Sequence, residues 1–173
     1  MDYYKLIKSF FPRHCFSRTV QLDPKTEIVG FVFIGSNVSV GDSKIIASEK
    51  YIISIGKDTN IRNNVLISAG NASSNSLTNA YDVFIGSRVF ISSDVVINGP
   101  SIVSDSCFIG RGTKIFNSII GPKCLIEGDV LLKDVIIPSD VVIPRGAVID
   151  SIDKLQKLLL EQLNNISYCA INH

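Results

Sequence analysis

Branched apolar residues recur at every sixth position along most of the chain. This period matches neither the turn of an α-helix nor the simple alternation of a half-buried strand. It predicts short strands joined by tight turns around a triangular prism, with each recurring side chain pointing to the axis. The recurring positions are Ile28, Ile34, Val40 and Ile46, then Ile55, Ile61 and Ile67, then Ile85, Ile91, Ile97, Val103, Ile109 and Ile115, and, after one-residue slips, Ile120, Ile126, Leu132, Ile137, Ile143 and Ile149.

Small and turn-forming residues repeat in step with the apolar positions. A small side chain often stands two residues before the apolar one, at Val38, Thr59, Val65, Val89, Val95, Ser101, Cys107, Thr113 and Cys124. The residue before the small one is predicted to form a corner, where Asn, Asp and Gly best tolerate left-handed backbone angles. These corner residues are Asn37, Asp58, Asn64, Asp94, Gly112, Asp129, Asp140 and Gly146. The two patterns agree, as expected of a real repeat.

The repeat predicts an all-β fold, a left-handed parallel β-helix. The region from Leu22 to Ile149, without the polar stretch Ala69 to Phe84, has room for about six triangular coils. Connections between parallel strands of one sheet are usually right-handed. The six-residue repeat is associated with the left-handed exception to this rule, so a left-handed helix is predicted. The polar stretch is rich in Asn and Ser, so we expect an exposed loop there.

The pattern divides the chain into three parts. Residues 1–21 form an N-terminal arm, residues 22–150 form the β-helix, and residues 151–173 form a C-terminal helix and tail. Leucines at helical spacing and a capping Ser or Asp predict a helix from about Ser151 to Asn164, packed along the prism.

The N-terminal arm is basic and aromatic, with rings at Tyr3, Tyr4, Phe10, Phe11 and Phe16. One interpretation is a cleavable organelle-targeting segment. The other is an arm that packs on the prism or on a neighbouring subunit, or binds a partner, because exposed rings would form an adhesive patch.

Charge and composition exclude several classes of function. The formal net charge of +1 gives no electrostatic basis for binding nucleic acid. No run of 18 apolar residues exists, so no membrane span is predicted. The four cysteines form no CxxC pair, and Cys107 and Cys124 are predicted to stack as small core residues rather than form a disulfide. The low count fits a reducing compartment, cytoplasmic or resembling a bacterial or plastid cytosol; the alternative is a mitochondrial location.

The stretch from Ile97 to Ile149 resembles the γ-class carbonic anhydrase family, most of all the anhydrase-like domain of the cyanobacterial carboxysome scaffold protein. The more specific points are Gly99–Pro100, the CFIG stretch from Cys107 to Gly110, and Phe116–Asn117. The resemblance covers roughly residues 22–155. It implies a trimer in which three histidines hold each zinc ion, two from one subunit and one from its neighbour. Such a zinc ion lowers the pKa of its bound water so that hydroxide can attack CO2.

By alignment with that family, Ser68, Ser93 and Asn98 stand at the positions of the zinc-binding histidines. Neither serine nor asparagine offers an imidazole, thiolate or carboxylate, so we expect no bound zinc and no other cofactor.

The family's supporting residues are largely replaced as well. Its Arg and Asp of an R-x-D motif align with Ile46 and Ser48, its Gln with Arg62 and a further Asp with Asn63, whereas Asn60 matches. Ile46 falls on the apolar repeat and is expected to pack in the core.

We therefore expect a non-catalytic structural, scaffold or binding subunit that forms a homotrimer or assembles with related γ-carbonic-anhydrase-like subunits, within a larger complex. One alternative is a degenerate subunit of a mixed trimer, resembling the anhydrase-like subunits of respiratory complex I. Another is a hexapeptide-repeat acyltransferase, which usually needs a histidine as general base. The only two histidines, His14 and His173, are expected to lie outside the prism.

Overall fold

The computed structural model describes residues 14–48, 50–70 and 82–171, with only the backbone described for His14 and for residues 165–171. Most of the N-terminal arm, most of the polar loop expected between Ala69 and Phe84, and His173 lie outside the described residues. The expectations for these segments stay predictions.

Three parallel seven-stranded sheets form the sides of a triangular prism, which confirms the predicted left-handed β-helix. Successive strands pass from sheet A to sheet B to sheet C and then return to sheet A one coil further on. Sheet A contains β1 (His14–Phe16), β4 (Phe31–Ile34), β7 (Ile52–Ile55), β10 (Val83–Ile85), β13 (Ser101–Val103), β16 (Ile119–Ile120) and β19 (Ile136–Ile137).

The other two sides have the same number of strands. Sheet B contains β2 (Gln21–Leu22), β5 (Ser39–Val40), β8 (Asn60–Ile61), β11 (Phe90–Ile91), β14 (Phe108–Ile109), β17 (Leu125–Ile126) and β20 (Val142–Ile143). Sheet C contains β3 (Glu27–Val29), β6 (Lys44–Ala47), β9 (Leu66–Ala69), β12 (Val96–Asn98), β15 (Lys114–Phe116), β18 (Leu131–Lys133) and β21 (Val148–Ile149).

The prism has seven coils, one more than the approximate number predicted from the repeat. The additional coil is the first, because β1 pairs in parallel with β4, His14 opposite Val32. This coil begins before the boundary expected at Leu22. It also corrects the position of His14, which starts the first strand rather than lying outside the prism.

The interior of the prism consists of columns of branched apolar side chains. In sheet C the column runs from Ile45 through Ile67, Ile97 and Ile115 to Leu132, each opposite the next in register and each with no exposed surface. Full burial of one such side chain stabilises a fold by roughly 1.5–3 kcal/mol. The predicted small positions are buried too, and Cys107 and Cys124 are free thiols, which confirms packing without a disulfide.

The corners have the predicted backbone conformation. All eight corner residues named from the sequence have positive φ, between 56° and 74°. Amide and carboxylate side chains also join corners of successive coils: Asn37 Nδ2 donates to Asp58 Oδ1 at 3.1 Å, and Asn64 Nδ2 donates to Asp94 Oδ1 at 2.7 Å. Further positive-φ corners at Arg88, Ser106 and Lys123 were not predicted, because these residue types carry no such conformational signal.

The expectation that Ile46 packs in the core is wrong. Ile45 is the buried residue, whereas Ile46 lies on the outer face of β6, half-buried. The reason is a shorter corner: Ile45 follows Val40 by five positions, whereas Ile67 follows Ile61 by six. The six-residue period therefore slips at this corner.

A single helix, α1 (Ile152–Ile171), follows the last coil within the described residues and extends beyond the predicted end at Asn164. Its Leu155 is buried, and Gln162 Nε2 donates to the carbonyl oxygen of Val142 at 2.5 Å. These contacts hold the helix against the last coil. Among the described residues, no helix has the length and hydropathy needed to cross a membrane.

Candidate functional site

Two of the three positions aligned with zinc ligands lie side by side on the outer face of sheet C. Ser68 in β9 and Asn98 in β12 are direct neighbours in register. The Ser68 hydroxyl donates a hydrogen bond to Asn98 Oδ1, with an oxygen–oxygen distance of 2.6 Å. Both side chains are half-buried and lie near the ends of their strands, where sheet C turns into sheet A.

The backbone around this pair is firmly held. The amide N–H of Gly99 donates to the carbonyl oxygen of Ser68 at 2.8 Å, and Ser101 Oγ donates to the carbonyl oxygen of Asn98 at 2.6 Å. The Gly99–Pro100 peptide bond, one of the specific points of the family resemblance, is cis and directly follows Asn98. Ser48 lies at the same edge, and its hydroxyl donates to the carbonyl oxygen of Ala69 at 2.9 Å.

Apolar side chains flank the polar pair along the same outer column. Ile46 is the register neighbour of Ser68 in the preceding coil, and Phe116 is the neighbour of Asn98 in the following coil. The structure therefore places Ile46 beside the candidate site rather than in the core. At this position an isoleucine can pack against a partner but cannot orient a metal ligand or a substrate.

Ser93 lies elsewhere, at the corner between sheets B and C. It precedes β12, whereas Asn98 ends β12, so the two residues stand at opposite ends of one strand. A hydrogen bond from the amide N–H of Gly112 to the Ser93 carbonyl oxygen, 3.1 Å long, ties this corner to the next coil.

The charged network beside Ser93 centres on Asp94. Asn64 Nδ2 and Arg111 Nε both donate to its carboxylate, each at 2.7 Å. The hydrogen bond from Asn64, and to a smaller extent that from Arg111, lowers the pKa of Asp94 below its usual value. A second pair, Arg145 and Asp129, stands further along the same edge at 3.1 Å.

Asn60 and Arg62 lie on the Ser93 side of the molecule. Asn60 is the outer residue of β8, opposite Phe90, and its Oδ1 atom is buried without a hydrogen-bond partner in the described part of the chain. The Arg62 guanidinium lies 5.4 Å from the centre of the Phe90 ring, within the range of a cation–π contact. The sequence did not predict that Phe90 would stack on Phe108, at 5.2 Å between ring centres, although both occupy equivalent outer positions.

The family-aligned positions thus form two groups on the single chain. The first group, at the edge between sheets C and A, is Ile46, Ser48, Ser68 and Asn98. The second group, at the edge between sheets B and C, is Asn60, Arg62, Asn63 and Ser93. We call these the C/A edge and the B/C edge.

The residues present do not fit a zinc ion. Zinc in proteins binds imidazole nitrogen, thiolate sulfur or carboxylate oxygen, and neutral hydroxyl and amide groups are poor substitutes. The Ser68 hydroxyl already donates to the oxygen that Asn98 would have to offer a metal. Within the described ranges, no three His, Cys, Asp or Glu side chains group closely enough to hold a metal ion.

Residues 68–156 match the family model described as GlmU-like, C-terminal hexapeptide. The chain belongs to this hexapeptide family. The chain is 32% identical over 139 residues to the carboxysome assembly protein CcmM of Nostoc sp., across 78% of this chain and 25% of that protein. It is 30% identical over 152 residues to a carbonic anhydrase of Methanosarcina thermophila, across 81% of this chain and 62% of that protein.

These two matches confirm the resemblance to γ-class carbonic anhydrases and the carboxysome protein. The chain spans a quarter of the CcmM protein and 62% of the carbonic anhydrase, less than two thirds of either relative. The solved structure of LpxA from Acinetobacter baumannii matches the fold with a TM-score of 0.50 and 15% identity, covering 80% of this chain and 66% of that one. Since the identity is low, this hexapeptide-fold match supports the architecture alone.

Proposed function

We propose that this hexapeptide protein is a non-catalytic γ-carbonic-anhydrase-like subunit, with a structural or binding role, that assembles as a trimer. The Ser68–Asn98 hydrogen bond carries the proposal, because the two groups satisfy each other at the positions where the family resemblance implies metal ligands. The apolar neighbours Ile46 and Phe116 suit this column to packing against a partner.

The separation of the two edges supports assembly from several copies. Ser93 and Asn98 lie at opposite ends of β12, five residues apart, which is at most about 16 Å for a fully extended segment. A metal site needs its ligands within about 2 Å of one ion, so one prism cannot bring the two edges together. A ring of copies in which the B/C edge of one meets the C/A edge of the next would do so. Such head-to-tail contacts generate a closed cyclic oligomer when the rotation between neighbouring copies closes the ring.

Light scattering coupled to size-exclusion chromatography tests the trimer. The chain has a mass of 18.9 kDa, so a particle about three times that mass is expected. A particle of the monomer mass, independent of protein concentration, would contradict the proposal.

Co-expression of two complementary variants tests which edges meet. One chain carries Ser68→His and Asn98→His at the C/A edge, and the other carries Ser93→His at the B/C edge, with a different affinity tag on each. We expect mixed trimers purified through both tags to retain more zinc than trimers of either variant alone, since only mixed contacts bring three histidines together. Equal zinc content in all three preparations would mean that these edges do not meet.

The same two-edge arrangement favours a second candidate, the degenerate subunit of a mixed trimer. A related subunit could meet either edge in place of a second copy. In that case the chain purified alone would be monomeric and would reach the trimer mass only after co-expression with a related γ-carbonic-anhydrase-like chain. Light scattering on the chain alone therefore separates the two candidates.

A further inference from the structure

Like the outer face of sheet B, the outer face of sheet A carries no charged residue at its described outward strand positions. The outward residues of sheet A are Cys15, Phe31, Phe33, Ile52, Ser54, Phe84, Ile102, Ile119 and Ile136, and from β4 onwards they alternate with buried residues. Phe84 is 43% exposed and Ile136 is 56% exposed. By contrast, the outer face of sheet C carries Glu27, Lys44, Lys114 and Lys133.

The contacts proposed for the trimer do not include the outer face of sheet A. Every position aligned with the family's shared site lies on sheets B and C or at their edges, and none lies on the outer face of sheet A. The inference uses the proposed trimer at this one step.

The size of the face argues against a pairing of two copies through sheet A alone. Seven strands spaced about 4.8 Å apart and about 10 Å long present roughly 350 Å². A stable, specific interface usually buries about 800 Å² on each partner. The face is thus too small for a dimer, whereas a single short segment laid across it would cover most of it.

The chain itself supplies such a segment at the right place. Strand β1 starts at His14 and forms the end of sheet A, so residues 1–13 join the prism at this face. The distance from β1 to β19 is about 29 Å, and thirteen residues reach about 43 Å when extended or about 20 Å as a helix. The segment contains the apolar side chains of Tyr3, Leu6, Ile7, Phe10 and Phe11. These side chains suit the uncharged outer face of sheet A.

We infer that residues 1–13 bind across the outer face of sheet A of their own prism and cover its apolar column. In this arrangement the arm covers one side of the β-helix, and Phe84 lies near the middle of the contact. An uncharged, partly exposed face of this kind otherwise promotes association with unrelated surfaces.

A fluorescence experiment on the full chain tests the inference. The chain contains no tryptophan, so Phe10→Trp introduces a single reporter. We expect its emission maximum at a shorter wavelength than that of free N-acetyltryptophanamide in the same buffer. Adding Phe84→Asp should move the emission towards the free value. Adding Leu125→Asp, at a similarly exposed apolar position on sheet B, should leave it unchanged.

Circular dichroism and light scattering on the same samples control for folding and assembly. If Phe84→Asp does not fold, Phe84→Ala replaces it, with increased quenching of the reporter by acrylamide as the expected result. Emission at the free value in the starting reporter protein would overturn the inference. So would loss of the trimer on Phe84→Asp with unchanged emission, which would make the face a contact between copies. A monomeric reporter protein with the expected emission response would contradict the trimer but support the cover.

Discussion

Two columns of side chains run along the same sheet of this protein and differ in what they specify. The inner column of sheet C, from Ile45 to Leu132, is apolar in every coil. The outer column, one residue further along each strand, reads Ile46, Ser68, Asn98, Phe116 and Lys133. Because the inner column alone fills the prism, the outer column can carry a hydroxyl–amide pair, an aromatic ring and a charged side chain without loss of the fold.

The largest expected difference in the free energy of unfolding is between substitutions at two adjacent residues, one on each column. Ile97 is fully buried, so Ile97→Ala should lower the free energy of unfolding by about 3 kcal/mol through lost burial and the resulting cavity. Asn98→Ala should lower it by less than about 1 kcal/mol, because water can replace a half-buried hydrogen bond. Urea unfolding measures both. Similar losses at the two positions would remove the distinction between the columns.

A smaller effect is expected at the corners, which set the path of both columns. Asp140 is exposed and has a φ of 61°, so Asp140→Ala should cost about 1 kcal/mol because a β-carbon is strained in this conformation. Asp140→Gly is the matched control and should be close to neutral, since glycine adopts this φ freely. An equal loss in both variants would assign the stability to the carboxylate instead of the backbone.

The smallest effect is electrostatic and lies at the B/C edge. Asn64 and Arg111 lower the pKa of Asp94 in the folded protein, whereas the unfolded value is about 3.9. A lowered folded pKa contributes stability that is fully present above the unfolded pKa and is lost as pH falls through the folded pKa. The stability advantage of the native chain over Asp94→Asn should therefore be constant near neutral pH and shrink below about pH 4.

Urea midpoints of both proteins between pH 6 and pH 3 measure this advantage. Added salt should also reduce it, because the network is exposed to solvent. A difference that grows on acidification would show that the Asp94 carboxylate does not gain from its neighbours.

The sequence predicted the fold well because two independent signals mark each coil. A buried branched residue and a corner that favours a left-handed backbone recur together, and all eight corners named from their residue types have positive φ. The signal failed where it was ambiguous. Ile45 and Ile46 are identical in type, so only the shorter corner after Val40 decides which of them faces the core.

The candidate site was predictable only in part. The spacing of Ser68 and Asn98 along the repeat places them one coil apart, but their hydrogen bond depends on side-chain rotamers that no repeat encodes. The separation of Ser93 from Asn98 follows from the strand between them. Among the described residues the Oδ1 of Asn60 has no hydrogen-bond partner, which depends on the packing of its neighbours on sheet B and is not fixed by the residue pattern.

The metal content of the purified, assembled protein, measured by mass spectrometry together with CO2 hydration on the same sample, tests most directly whether the protein is non-catalytic. We predict no stoichiometric zinc and no hydration above that of buffer, because Ser68, Ser93 and Asn98 do not provide zinc ligands. Stoichiometric zinc accompanied by hydration activity would contradict this prediction and would require a ligand set other than these three positions.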